Sequence, residues 1–415
     1  MNARAAHPGR GLSPTLPLLA AALLTAAPTM AQNGPRARDL GVPFEGEPGP
    51  WNAITDVAGI EVGHHTIIRG EGPLRVGEGP VRTGVTAVLP RGRSSRGRVF
   101  AAWFTLNGNG EMTGTTWLRD RGILEGAVMI TNTHSVGAVH EATIAWAQEN
   151  LDAPDWSLPV VAETWDGFLN DINGFHVRRE HVFAALDSAA SGPVAEGSVG
   201  GGTGMRTFGF KAGIGTSSRR VRAGGEDYMV GVLVQSNFGG RRQMRIAGVP
   251  VGQEIPDLLP EAPAEPDFAA AASPDAGDVP VSGRTGSIII VAATDAPLLP
   301  HQLDRFIRRT TLALGRVGSI ASNGSGDIFV AFSTANQAAA ENEDGVAPLR
   351  NIANNNLNPF FEGVVQAAEE AIVNAIVAGR DMVGVNGRRI YGLPHDRLQE
   401  ILREYNRLNP PAEGG

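Results

Sequence analysis

Across residues 51–67 apolar positions alternate with polar ones around Gly59, the period-two pattern of a strand pair. Residues 84–90, 99–106 and 126–131 read as further strands, and residues 136–150 carry apolar side chains at 3.6-residue spacing, the pattern of a helix. Residues 159–163 predict a strand that runs into a polar, aromatic loop, and a helix holding His176 and His181 ends near Ser191. Residues 208–218 and 228–235 read as two paired strands. Ile288 to Val291 are four β-branched residues in a row with no polar face, which predicts a strand buried on both sides. Residues 300–317 read as one amphipathic helix opened by proline, and a strand starts near Asp327. Two further helices are expected at 358–376 and 393–405. Strands and helices interleaved in this way predict an α/β layered fold.

One stretch breaks the pattern. Between about 241 and 286 the chain becomes rich in Pro, Ala, Asp and Glu, most of all at 256–280, and reads as a mobile linker ahead of the buried strand. At the other end, Arg4 and Arg10 precede an apolar run from Leu16 to Ala27 and the small-residue sequence Thr29-Met30-Ala31. That order predicts a signal peptide over residues 1–31 and a periplasmic or secreted protein; the bland alternative is an N-terminal tail. The apolar run is too short to be a resident membrane span, and no later span is expected. A net charge of −8 in 415 residues argues against a nucleic-acid partner. With no cysteine, neither disulfides nor thiolate chemistry is available. None of the nine histidines falls in a metal-binding spacing, so no metal and no cofactor are expected. The glycine run at 197–204 lacks the Lys-Ser/Thr of a phosphate-binding loop and the spacing of a dinucleotide fold.

The chemistry concentrates at the start of the buried strand. Gly286-Ser287 stands where flexible chain meets rigid sheet, and on its own such a dipeptide simply begins a strand. Gly286 has no Cβ, so its peptide bond can be twisted and approached closely by a hydroxyl. An N→O acyl shift followed by hydrolysis would cut the chain between Gly286 and Ser287. Ser287 would then hold both a nucleophilic Oγ and a free α-amine of pKa ~8, a base beside it. Asn237, at the end of a strand and before Gly239-Gly240, is either a turn residue or an amide donor for a developing oxyanion. Ser325 and Asp327 share a side if their strand has already begun there; the alternative is a plain Asp/Gly turn. Glu163 and Trp165 stand at a strand end, where binding residues are often placed, although Glu163 could also be an ordinary solvated carboxylate. The glycine-dense loop at 107–114 is either a surface turn or a backbone that comes close to something.

The run Gly286-Ser287-Ile-Ile-Ile-Val-Ala-Ala-Thr294-Asp295-Ala-Pro297 resembles the start of the small subunit in the family of L-aminopeptidase/D-esterase enzymes and bacterial β-aminopeptidases. The opening at Trp51, the Gln235-Ser-Asn237-Phe-Gly segment and the segment 322–334 carry the same resemblance. It implies a four-layer αββα sandwich like that of N-terminal-nucleophile hydrolases, self-cleaved into a large subunit (32–286) and a small one (287–415). It implies further that Ser287 is the nucleophile, that Asn237 stabilises the oxyanion, and that Ser325 and Asp327 orient the nucleophile and relay its proton. Glu163 would bind the ammonium group of a small peptide, amide or ester substrate, and Trp165 would line the pocket. Some members carry Tyr at the Trp165 position, a catalytic hydroxyl that an indole cannot replace, and some carry Glu at the Asp327 position. A homo-oligomer of cleaved heterodimers is the family expectation. Two other readings stay open: another N-terminal-nucleophile amidase or acyltransferase, and an exported ligand-binding protein without turnover.

Overall fold

A computed structural model describes residues 34–151, 156–263 and 286–409. The stretch 1–31 and most of the Pro- and Asp-rich segment ahead of Gly286 lie outside the described residues. A short 3-10 turn at Ile54–Asp56 precedes the first strand, β1 (Glu61–Arg69), so only the second half of the opening alternating run is strand. Then come β2 (Val81–Leu89), β3 (Val99–Gly108), α1 (Thr115–Arg121), β4 (Ile123–Leu124), β5 (Val128–Asn132), α2 (Val136–Asn150), β6 (Val160–Thr164) and α3 (Arg179–Asp187). His176 lies before α3 rather than in it. A small hairpin, β7 (Arg206–Thr207) and β8 (Phe210–Lys211), is separate from the long pair β9 (Ile214–Ala223) and β10 (Glu226–Asn237), which the sequence alone had run together. Gly224 and Gly225, with φ of 60° and 89°, make the tight turn between β9 and β10, where both residues must be left-handed. After α4 (Val251–Glu254) follow β11 (Gly286–Thr294), α5 (Pro300–Ile307), α6 (Thr310–Arg316), β12 (Ser325–Ser333), α7 (Gln337–Glu341), α8 (Asn358–Val377), β13 (Met382–Val383), β14 (Arg389–Ile390) and α9 (His395–Glu404).

These elements stack as helix, sheet, sheet, helix. One sheet has the order β1-β2-β5-β6; the other has the order β4-β3-β12-β11-β10-β9, with β11 and β12 parallel in its centre. The alternation of strand side chains explains the layers. Ile289, Val291 and Ala293 face Val88, Val128, Ile130 and Val160 across the space between the sheets. Ile288, Ile290 and Ala292 face the other way, onto Phe306, Leu314, Phe360 and Val364 of α5, α6 and α8. On the far side, Val85, Ala87, Met129 and Val161 pack against α2 and α3 through Val139, Trp146, Val182 and Leu186. This four-layer α/β sandwich is why β11 needs no polar face.

Two further sequence expectations change. The stretch 300–317 is two helices, because Thr310 Oγ1 bonds the Ile307 carbonyl (2.7 Å) and Thr311 Oγ1 the Arg308 carbonyl (2.7 Å), so side chains take up bonds around the junction. The linker is also shorter than 241–286. Buried Arg241 donates to the carbonyls of Phe208, Gly209, Ile255, Asp257 and Leu258, and Met244, Ile246, Val249, Val251 and Ile255 are core residues.

Away from the sheets' meeting point, Glu370 of α8 is fully buried. It accepts two bonds from Arg38 (both 2.8 Å), one from Arg219 (2.6 Å) and one from Asn52 (2.6 Å). Burial pushes its carboxylate up, but these donors outweigh it and hold the group below its usual value. Its contribution is therefore present above the unfolded carboxylate's ordinary range and is lost as pH falls through the lower folded value. Glu370→Gln leaves Arg219 buried beside a neutral amide, and denaturant melts at pH 7 should show a loss of about 3 kcal/mol or more.

Candidate active site

The centre of the six-stranded sheet sets the site. β11 begins at Gly286, and its first residues are paired on both sides: Asn237 stands opposite Ser287 on β10, while Gly286 pairs with Ser325 and Ser287 with Gly326 on β12. Gly286 has no left-handed φ; a Cβ there would stand 3.1 Å from Phe238 Cα, so close backbone approach, not an unusual conformation, makes a side chain there tight. Ser287 is 5% exposed, and its Oγ lies 2.7 Å from the Gly286 carbonyl oxygen, the oxygen of the bond that precedes it.

Alternation puts Ser287 and Asn237 on the face that looks at the four-stranded sheet, together with Ile289 and Leu233. Directly opposed residues of an antiparallel pair have Cβ atoms about 5 Å apart, so the two side chains are neighbours. The Asn237 amide is held at both ends: Oδ1 accepts the Arg206 N–H (3.0 Å), and Nδ2 donates to the Trp165 carbonyl (2.8 Å). The second Nδ2 hydrogen is left for another acceptor. Neither Arg206 nor the carbonyl of Trp165 was foreseen as the support of Asn237, since main-chain partners leave no residue-type signal.

Ser325 and Asp327 do come together, with Oγ donating to Oδ1 at 2.5 Å. They alternate with Phe329 onto the helix side of the sheet, away from the Ser287 hydroxyl. What they approach is the main chain of β11, where the Ile288 N–H also bonds the Asp327 carboxylate. A bulge in the β12–β3 pairing falls at Asp327 and Ile328, the kind of irregularity that re-aims a side chain. Burial pushes Asp327 up to about 6, against the opposing bonds from Ser325 and Ile288, and its Oδ2 has no hydrogen-bond partner.

Glu163, at the end of β6, is 3% exposed. Its Oε2 accepts from the hydroxyl of Thr133 and its Oε1 from the Glu111 N–H (3.0 Å). Burial raises the carboxyl above its ordinary value despite both bonds. The glycine-dense loop links Glu163 to β12, the strand paired with that of Ser287. A Cβ on Gly110 would stand 3.0 Å from Glu163 Oε1 and 3.2 Å from Gly326 Cα, and Asn107 and Asn109 tie the loop to the carbonyls of Ser322, Gly324 and Ser325. Trp165 is half-buried and packs against Phe168, Leu169 and Ile390, with Gly167 under its indole. Thr133 is a further member of the site that sequence reasoning did not single out. The only signal was its place just past a strand end.

The second glycine run has a packing role. Gly201 lies where a Cβ would be 2.7 Å from the Ile130 carbonyl, and its N–H, like that of Gly200, bonds a threonine of the four-stranded sheet. Beside it, Gln235 donates to the Thr131 carbonyl (3.0 Å) and Thr164 Oγ1 (2.8 Å), crossing from one sheet to the other. Among the described residues no group of three or more His, Asp or Glu is arranged to hold a metal ion, and no helix is long and apolar enough to cross a membrane.

A buried serine hydroxyl thus has an amide donor beside it and a buried carboxylate one loop away. Known proteins resemble this one over nearly the whole chain. The β-peptidyl aminopeptidase BapA of Sphingosinicella microcystinivorans is 55% identical over 393 residues, 94% of this chain and 98% of that protein. BapA of Sphingosinicella xenopeptidilytica is 49% identical over 397 residues, 94% and 96% of the two chains. Among solved structures, the L-aminopeptidase D-Ala-esterase/amidase of Ochrobactrum anthropi superposes with a TM-score of 0.79 at 45% identity, over 90% of this chain and all of that one. It is described as a prototype for the serine aminopeptidases with a variant of the Ntn-hydrolase fold. A β-aminopeptidase of a Burkholderia species gives 0.76 at 44% identity, over 89% and 99%. The profile of peptidase family S58 matches residues 52–390. On these grounds the chain belongs to peptidase family S58 and is a serine-type peptidase with an Ntn-hydrolase-like fold.

Proposed function

We propose that this protein is a self-processing aminopeptidase that removes N-terminal residues, β-amino acids among them, from small peptides, amides or esters. The observation that carries this reading is the Ser287 hydroxyl 2.7 Å from the Gly286 carbonyl oxygen, at the start of a strand held on both sides. In processing, Ser287 Oγ bonds to the Gly286 carbonyl carbon, the carbon–nitrogen bond breaks, and the nitrogen leaves as the Ser287 α-amine. Water then hydrolyses the ester and leaves a Gly286 carboxylate. The freed amine takes up the proton of the Ser287 hydroxyl when the same oxygen attacks a substrate carbonyl. The Asn237 amide donates to the oxyanion. Glu163 receives the substrate's ammonium group, and Trp165 walls the site. Ser325 and Asp327, which lie on the main-chain side of Ser287, serve the amine rather than the hydroxyl; that is where the paired register brings them. The names of the two BapA relatives support β-aminoacyl substrates, and the charged and apolar order at residues 4–31 supports an exported enzyme.

Intact mass spectrometry tests the core of this. Wild-type protein should give two fragments, the smaller starting at Ser287, while Ser287→Ala should remain one chain and release no amine from a β-alanyl amide. A wild-type chain that stays whole yet turns over substrate would end the self-processing reading. Asn237→Ala should cost about 10²–10³ in kcat with a smaller change in KM, measured on protein already processed. Asp327 carries a stability signature of opposite sign to the usual carboxylate. Its folded value of about 6 lies above the ordinary 3.8, so its charge opposes folding, and stability on its account is lost as pH rises through about 6. Asp327→Asn should therefore melt no lower than wild type at pH 7.5, with a gain of up to roughly 3 kcal/mol, while losing activity.

A further inference from the structure

Phe175 is exposed, aromatic and held in a left-handed conformation, with φ of 51°. That region is disfavoured for bulky residues, which makes a solvent-facing phenylalanine there an outlier outside the hydrophobic core. The loop that presents it is nevertheless rigidly built. Behind Phe175, His176 is buried between Asp171 (Nε2 to Oδ2, 2.8 Å) and Arg69 (Nδ1 to the guanidinium, 2.7 Å), and Asp171 also takes the Gly77 N–H at 2.8 Å. Gly174 has no room for a side chain, since a Cβ would stand 2.2 Å from His176 Nε2. A hydrogen-bonded clamp thus fixes the residues that flank an exposed ring.

The ring is fixed beside the substrate end of the site. Phe175 stacks on His134, with centroids 6.1 Å apart and planes at 23°. His134 follows Thr133, whose hydroxyl holds Glu163, so the stacked pair stands beside that carboxylate. Resting on the reading that Glu163 receives the substrate's ammonium group, we infer that Phe175 and His134 form the outer wall for the side chain of the N-terminal residue and favour substrates whose first residue is aromatic. A pair of stacked, half-solvated rings leaves a flat face on which a third ring can stack, and a fixed loop spares the ordering cost of making it on binding.

The test compares two reporters on wild type, Phe175→Gly and Phe175→Leu: the p-nitroanilides of β-alanine and of β3-homophenylalanine. Glycine suits the positive φ, so Phe175→Gly should fold with a melting temperature at or above that of wild type. Its kcat/KM for the β3-homophenylalanyl reporter should fall about tenfold, mainly through KM, and its kcat/KM for the β-alanyl reporter much less. Phe175→Leu should recover part of the loss. Equal changes on both reporters, or no change on either in the folded variant, would overturn the inference while leaving the aminopeptidase reading intact. A wild-type enzyme that cleaves neither reporter would instead remove the β-aminoacyl reading on which the inference rests.

Discussion

Everything in this molecule depends on the pairing of the first residues of β11 with strands on both sides. The ladder to Asn237 on one flank and to Ser325 and Gly326 on the other holds Ser287 in the middle of a six-stranded sheet. The β-branched residues that follow anchor the strand between two apolar layers, so the position of Ser287 is set by about the most rigid material available. A cut at Gly286 would free one covalent bond and leave the hydrogen-bonded pairing of the strand in place. The placement of Ser287 is set by the sheet.

The two faces of β11 then divide the labour. Ser287 and Asn237 look into the space between the sheets, where Gln235 ties the layers together and the glycine-dense loop carries the site across to Glu163. Ser325 and Asp327 look toward the helices and meet the main chain of β11. Side chains of successive residues lie on opposite faces of a strand, and the two sets of partners follow that split. The cost is visible in electrostatics: burial raises both Glu163 and Asp327, the expected result of placing carboxylates where apolar packing excludes water. Glu370 shows the contrasting case, a buried carboxylate surrounded by enough donors to stay ionised easily, and it sits where it supports structure.

Membership of peptidase family S58 covers the matched span 52–390, and the fold agrees with solved relatives at TM-scores near 0.8. A fold does not fix function; the side chains and loops set on it do. Trp165 and the strained Phe175 are two such side chains at the rim of the site. One is a wall packed on Phe168 and Leu169, and the other stands exposed on a clamped loop.

The sequence by itself determined the layered α/β class, most of the strands, the buried character of β11 and the placing of Ser287 at its start, because hydrophobic periodicity and β-branched runs are local properties that survive in any tertiary setting. It also joined Ser325 to Asp327, since two residues apart on a strand means one face. Only the tertiary structure decided that this face is not the one Ser287 uses, because the relative orientation of two parallel strands is a matter of register and leaves no trace in either segment. The same limit hid Arg206 and the Trp165 carbonyl behind Asn237: main-chain donors and acceptors are present at nearly every residue, so nothing in composition marks the ones that are used. The break between α5 and α6 and the packed stretch after Arg241 were missed for a related reason. Threonine back-bonding and a guanidinium gathering five carbonyls are decided by what surrounds the chain, whereas polar composition suggests only loop.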